Sequence, residues 1–230
     1  ATLVEGMDKS LNDILAHLNT IGEAENTLVI FVGDNGSDAP LGGTHTVASS
    51  APLRGKKATH YEGGMRVPFI VSWAKPSAES ELQKQFPIKP GVVTTDFGSI
   101  CDIMPTALSA AGVKMPADHV VDGVDLSSYL ENHSGKKPQT FLMHFPHHHR
   151  SRNFTVYRDG DWKVIYHYDK PAAERVELFN LVRDPYESEN LSIKDAAMAK
   201  SLLGKMKAAL DDAGAQYLTA EAKVQLNGDS

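Results

Sequence analysis

The chain has 230 residues, 41% hydrophobic and 23% charged, with a formal net charge of -6. This is ordinary globular composition, so a buried core is expected; the acidic balance excludes a nucleic-acid footprint, and no like-charge run marks a membrane-binding patch. Cys101 is the only cysteine, so no internal disulfide can form, and no apolar run approaches the ~20 residues a membrane span needs.

Leu3, Met7, Leu11, Ile14, Leu15 and Leu18 fall on one face of a predicted helix closed near Gly22. Thr27 to Val32 is a short, β-branched apolar run that reads as a buried parallel strand. It runs into Gly33-Asp34-Asn35-Gly36. Residues 37–66 have no periodicity but are dense in Gly, Ser, Thr and His, and so long a loop is uncommon unless functional. Val67 to Trp73 is a second strand. Val92 to Thr95 reads as a third, followed by Asp96 as the N-cap of a helix that carries Cys101 among buried positions and ends at Gly112. Pro105 must kink or restart that helix. A short helix is expected near Leu126 to Glu131.

From about residue 138 the pattern changes to short strands at 140–145, 154–158, 162–168 and 176–181, with a hairpin turn at Arg158-Asp159-Gly160-Asp161. An amphipathic helix follows from Lys194 to Ala213, then a polar, loose end. The fold class is therefore α/β: the C-terminal part of a sheet-and-helix domain over residues 1–137, followed by a small antiparallel-sheet-plus-helix subdomain over 138–230.

Asp34 and Asn35 sit directly after a strand, where ligands gather in open α/β sheets, and both offer hard oxygens suited to Ca²⁺ or Mg²⁺. Asp-Asn-Gly is equally ordinary turn chemistry, so the tetrapeptide alone leaves both readings open. In Leu53-Arg54-Gly55-Lys56-Lys57 three cations fall within four positions. Such donors suit a tetrahedral oxyanion or, equally, a solvated loop.

The two segments together, with Ala58-Thr59-His60-Tyr61-Glu62-Gly63-Gly64-Met65-Arg66-Val67-Pro68, resemble the type I sulfatases of the alkaline-phosphatase-like superfamily. In that family's pattern a Gly stands where this chain has Lys56 and Ala58, a Thr at His60 and a Trp at Tyr61. The resemblance extends to Asp102-Ile103-Met104-Pro105-Thr106, Asp122-Gly123-Val124-Asp125-Leu126, Arg158 to Lys163, Glu177 to Leu181, and Asp184-Pro185 through Leu191.

The resemblance implies hydrolysis of a sulfate ester. Asp34 and Asn35 would be two ligands of a divalent cation, usually Ca²⁺, and Lys57 would contact the sulfate and the leaving oxygen, with Lys56 taking that role if the loop slips by one residue. Phe141 to His147 resembles a His-Phe-Pro-His segment of bacterial sulfatases, which points to a sulfated glycan or small molecule as substrate and to His144 as a binding residue; a hydrogen-bonded structural histidine is the alternative. The run His147-His148-His149 lacks the spacing of a zinc site.

The family's nucleophile, a formylglycine made within a Cys/Ser-x-Pro-x-Arg motif, and its paired aspartates have no counterpart here. They are expected before Ala1, in a chain read as truncated or processed, and periplasmic or secreted. Two alternatives remain: a phosphonate or phosphate-ester hydrolase of the same superfamily, and a non-catalytic structural or substrate-recognition piece, with association through an exposed sheet edge.

Overall fold

The computed structural model describes residues 2–39, 48–94, 97–132, 140–148 and 152–230. They group into two compact units. One contains residues 1–32 and 68–138, the other residues 33–67 and 139–230. This differs from a single cut at 137/138: the loop that bears Asp34, Asn35 and Lys57 joins the C-terminal strands.

In the first unit, helix α1 (Thr2–Thr20) leads to strand β1 (Leu28–Val32). β1 pairs with β2 (Phe69–Trp73) in antiparallel register, Leu28 opposite Trp73 and Val32 opposite Phe69. The expectation of a parallel, fully buried strand is therefore corrected: β1 is half-buried throughout. An apolar run reports burial but not strand direction, which depends on the partner. The stripe of α1 stays uncovered among the described residues, with Leu3, Met7 and Ile14 exposed.

The core of this unit gathers Trp73, Phe86 and Ala110, with Leu28, Leu82, Ile88 and Leu130 against them. Trp73 donates its indole N–H to the Phe86 carbonyl at 3.1 Å. In helix α3 (Glu81–Gln85), Gln83 donates to the carbonyls of Glu25 and Lys75 and accepts from the Ser77 N–H, so every polar atom of its buried amide group is engaged.

No strand forms at 92–94, and Thr95 and Asp96 lie outside the described residues. A 3₁₀ turn at Ile100–Asp102 instead precedes helix α4 (Ile103–Ala110). Pro105 falls in the first turn of α4, where its missing N–H has no helical partner to lose. Cys101 is exposed, which corrects its buried assignment; it belongs to the 3₁₀ turn, not to the register of the helix. Asp102 accepts from the N–H groups of Ser99 (2.6 Å) and Val124 (2.8 Å), and Thr106 from Leu126 (3.0 Å). These bonds pin Asp122 to Leu126 onto α4, and Gly123 lies so close that a Cβ would sit 2.0 Å from the Cys101 carbonyl oxygen. Helix α5 (Ser127–Asn132) follows.

The second unit is built on the meander β3 (Thr140–Phe145), β4 (Phe154–Asp159), β5 (Trp162–His167) and β6 (Val176–Asn180), antiparallel in chain order. Gly160, at φ 57, takes the first of two central turn positions between Asp159 and Trp162, as a type II′ hairpin requires. Alternation splits the sheet into two faces. One presents Tyr157, Val164, Tyr166 and Leu178 to helix α6 (Ala196–Asp212), through Leu202, Leu203, Met206 and Leu210. The other presents Phe154, Val156, Ile165 and Phe179 to Tyr61 and Met65 of the 33–67 segment.

The loose end expected after Ala213 is in fact helix α7 (Ala220–Asp229). Ala222 and Leu226 are buried, and Asp229 accepts from the Tyr166 hydroxyl at 2.7 Å and Arg175 at 3.0 Å. With only these two residues in its buried stripe, the helix leaves almost no hydrophobic signature in the sequence. No helix among the described residues is long and apolar enough to cross a membrane.

Candidate active-site loop

The 33–67 segment is folded by its glycines. Gly36 donates its N–H to the Gly64 carbonyl at 3.0 Å, Lys57 to that of Ser37 at 2.9 Å and Gly63 to that of Arg54 at 2.7 Å. The approach excludes side chains: a Cβ on Gly36 would lie 1.8 Å from the Gly63 oxygen, and one on Gly64 would lie 2.4 Å from that of Thr59. The Asp34-Asn35-Gly36 turn and Lys57 are thereby held side by side.

Asp34 is exposed, and one carboxylate oxygen accepts from the Asn35 N–H at 3.0 Å. Asn35 donates its side-chain N–H to the Gly36 carbonyl at 3.0 Å, leaving its amide oxygen available. Lys57 is half-buried, and its ammonium makes no hydrogen bond or ion pair among the described residues. Lys56, its alternative in register, accepts from Thr59 through its carbonyl.

His144 is placed apart. Its Nε2 lies 2.7 Å from the Gln216 carbonyl, which can only accept, so Nε2 carries the proton. Nδ1 then accepts from the Thr155 hydroxyl at 2.7 Å, which in turn accepts from the Tyr168 hydroxyl at 2.8 Å. Burial lowers its pKa, which the hydrogen bond to the Gln216 carbonyl opposes. Both ring nitrogens are thus engaged within the fold, the geometry of a hydrogen-bonded structural histidine. His147 and His148 lie just after β3; His149 is outside the described residues.

Beneath the loop lies a set of buried ions that sequence reasoning did not single out. Lys163 is 1% exposed, with Glu62 at 2.9 Å and Glu187 at 2.8 Å. Glu187 also accepts from the Glu62 N–H at 2.6 Å. Burial raises the Glu187 pKa, which the adjacent Lys163 opposes. Glu187 adopts φ 54, a strained conformation for a residue with a Cβ, and these bonds hold it there. The available signal was period 2: Lys163 shares its sheet face with Ile165, an inward position in an apolar strand.

A second cluster adjoins it. Burial would raise the Glu177 pKa, but hydrogen bonds from His167 and Tyr61 bring it down to about 2. His167 Nε2 lies 2.6 Å and the Tyr61 hydroxyl 2.7 Å from the same carboxylate oxygen, Oε2, while Arg54 reaches Oε1 at 3.4 Å. Arg54 also lies over the Tyr61 ring, 3.8 Å from its centroid. His60 lies between Tyr61 and Phe154 in tilted ring contacts, and burial, then the neighbouring His167, lowers its pKa to about 3. Neither His60 ring nitrogen has a hydrogen-bond partner among the described residues, at a cost of about 1–3 kcal/mol for each unsatisfied group.

With this geometry established, comparison with known proteins is direct. A family model described as Sulfatase matches residues 1–113. Rat steryl-sulfatase is 30% identical over 236 residues, covering 90% of this chain and 38% of the relative. A sulfatase of Formosa agariphila is 32% identical over 216 residues, covering 83% and 34%. The chain belongs to the sulfatase family. It spans well under half the length of the curated sulfatases it matches. Rat N-acetylgalactosamine-6-sulfatase is 37% identical over 136 residues, 59% of this chain and 24% of the relative. The fold is shared with a protein solved in complex with its substrate D-glucosamine-2-N,6-O-disulfate, at TM-score 0.67, 24% identity and coverage of 90% of this chain and 39% of that one. It is shared also with a protein solved with a neocarrahexaose, at TM-score 0.67 and 22% identity, covering 98% and 46%.

Two outcomes follow from the loop geometry. Ala58 holds φ 68, a left-handed conformation that disfavours a Cβ. Ala58→Gly is expected to stabilise the protein by about 1 kcal/mol in chemical denaturation. Lys163→Met leaves two carboxylates buried without their cation and is expected to cost about 3–5 kcal/mol at neutral pH. That deficit shrinks as pH falls, because burial holds the Glu187 carboxyl above its ordinary value and the folded variant then binds more protons than its unfolded chain.

Proposed function

We propose that this sulfatase chain supplies the Asp34, Asn35 and Lys57 part of a sulfuric ester hydrolase site whose substrate is a sulfated sugar. The observation that supports the reading is the pair of backbone bonds, Gly36 to Gly64 and Lys57 to Ser37, which bring the backbone that bears two hard oxygen donors next to the backbone of a lysine whose ammonium has no ion pair among the described residues. A sulfate ester needs positive charge on its oxygens and on the oxygen that departs. Sulfated-sugar substrates are supported by the relative named for N-acetylgalactosamine-6-sulfate chemistry and by the fold neighbour solved with a glucosamine disulfate.

The donor set fits a hard divalent cation such as Ca²⁺: the second Asp34 carboxylate oxygen and the Asn35 amide oxygen have no hydrogen bond among the described residues. When bound, that ion would supply positive charge to the sulfate. The formylglycine expected outside this chain would supply the nucleophile. Within the chain, Lys57 offers its ammonium to the leaving oxygen as charge develops there, and the glycine contacts keep its backbone from drifting relative to Asp34. Arg54 and Tyr61 are engaged with Glu177 and serve to shape the loop. We assign His144 to the packing of β3 against residues 216–217, not to the substrate. Export to the periplasm or outside the cell is the location this reading favours.

In the enzyme containing this chain, Lys57→Ala is expected to lower kcat on an aryl sulfate by about tenfold or more with little change in KM, because its charge acts in the transition state. An unchanged kcat rejects the role. Ca²⁺ takes roughly six to eight oxygens, and Asp34 with Asn35 offers two or three. Isothermal titration of the 230-residue chain is therefore expected to show weak or no Ca²⁺ binding; micromolar affinity abolished in Asp34→Ala would contradict this.

A further inference from the structure

The cluster under the loop has a property that the sulfatase reading does not use. The ligating atoms of His60, His167 and Glu177 all lie within 4.8 Å of one another. They come from three places in one unit: the loop, the end of β5, and β6. We propose that His60, His167 and Glu177 form a binding site for a divalent transition-metal ion of the Zn²⁺ class. The proposal goes beyond the sulfate-ester chemistry and does not rest on it.

Four observations support it. The donor set is two imidazoles and a carboxylate, which suits Zn²⁺ or Co²⁺ and not Ca²⁺, whose ligands are oxygens. Both His60 ring nitrogens are buried without a hydrogen-bond partner among the described residues, so a lone pair is already free of competition. Desolvation keeps that ring neutral, the form in which histidine ligates. Glu177 is oriented by the Tyr61 hydroxyl and Arg54, the kind of outer hydrogen bonding that fixes a metal-binding carboxylate.

The rearrangement required is small. Around a tetrahedral ion with bonds near 2.0–2.1 Å, donor atoms stand about 3.3 Å apart. The His167–Glu177 hydrogen bond of 2.6 Å must open, and the wider separations within the cluster must close. In the metal-bound form that hydrogen bond is exchanged for bonds to the ion, and the proton on His167 Nε2 moves to Nδ1 or leaves. Two cations crowd the carboxylate: Arg54 at 3.4 Å and Lys170 at 3.9 Å. Their side chains are 40% and 34% exposed, so solvent screens part of their charge at the carboxylate. Three protein ligands leave a coordination position for water.

The test is titration of the chelator-treated chain with Co²⁺, followed by displacement with Zn²⁺. The expected result is a single tight site with a tetrahedral visible spectrum. It should persist when His147, His148 and His149 are all replaced by Ala, and lose at least about tenfold in affinity in His60→Gln. Equal affinity in a folded His60→Gln protein overturns the proposal, as does loss of the tight site in the triple variant. X-ray absorption of the Zn²⁺-loaded parent protein needs no variant: two imidazole nitrogens on the ion are expected, and one or none rejects the site.

Discussion

The ion triad of Lys163 with Glu62 and Glu187 is the constraint on which the second unit depends. A lysine 1% exposed cannot remain charged in an apolar layer unless carboxylates meet it there. Those carboxylates come from two distant stretches of sequence, one in the loop and one after β6. The pairing therefore joins the loop to the sheet, and the second contact between Glu187 and the Glu62 N–H sets the start of helix α2 (Glu62–Met65). Gly63 and Gly64 follow immediately, so the same anchor sets the surface against which the Asp34-Asn35-Gly36 turn is placed.

A division of labour results. The face of the sheet toward α6 is mostly apolar, with the neutral His144, Thr155 and Tyr168 hydrogen bonds as its polar part. The face toward the loop mixes Phe154, Val156, Ile165 and Phe179 with Lys163, His167 and Glu177. Burying charge there is expensive compared with burying leucine, and its use is positional: directional bonds specify one placement of the loop where apolar contacts would tolerate several. The loop can then carry an exposed Asp34 and a Lys57 ammonium with no ion pair among the described residues, groups that contribute little to stability themselves.

The strands, the amphipathic helices α1 and α6, and the hairpin at Gly160 were legible in sequence because each rests on local periodicity or turn chemistry. The motif spacing likewise pointed to Asp34, Asn35 and Lys57, whose backbones the loop sets next to one another. Three readings failed for a common reason. The direction of β1, the exposure of Cys101 and the order of α7 each depend on what packs alongside, and a periodic pattern does not name its neighbour. His144 shows the same limit: a histidine on a strand looks equally like a ligand and a structural group until Gln216 and Thr155 are seen at its two nitrogens.

The amino-acid sequence by itself determined the family, strands β1 to β6 and helices α1 and α6, since these are written in short-range pattern. Only the tertiary structure decided that residues 33–67 pack on the C-terminal meander, and that Lys163, His167 and Glu177 face that loop. The physical reason is separation along the chain. Glu62 meets Lys163 across 101 residues and Glu187 across 125, and no local propensity encodes such a pairing; it exists only once the sheet has formed and its polar face must be covered.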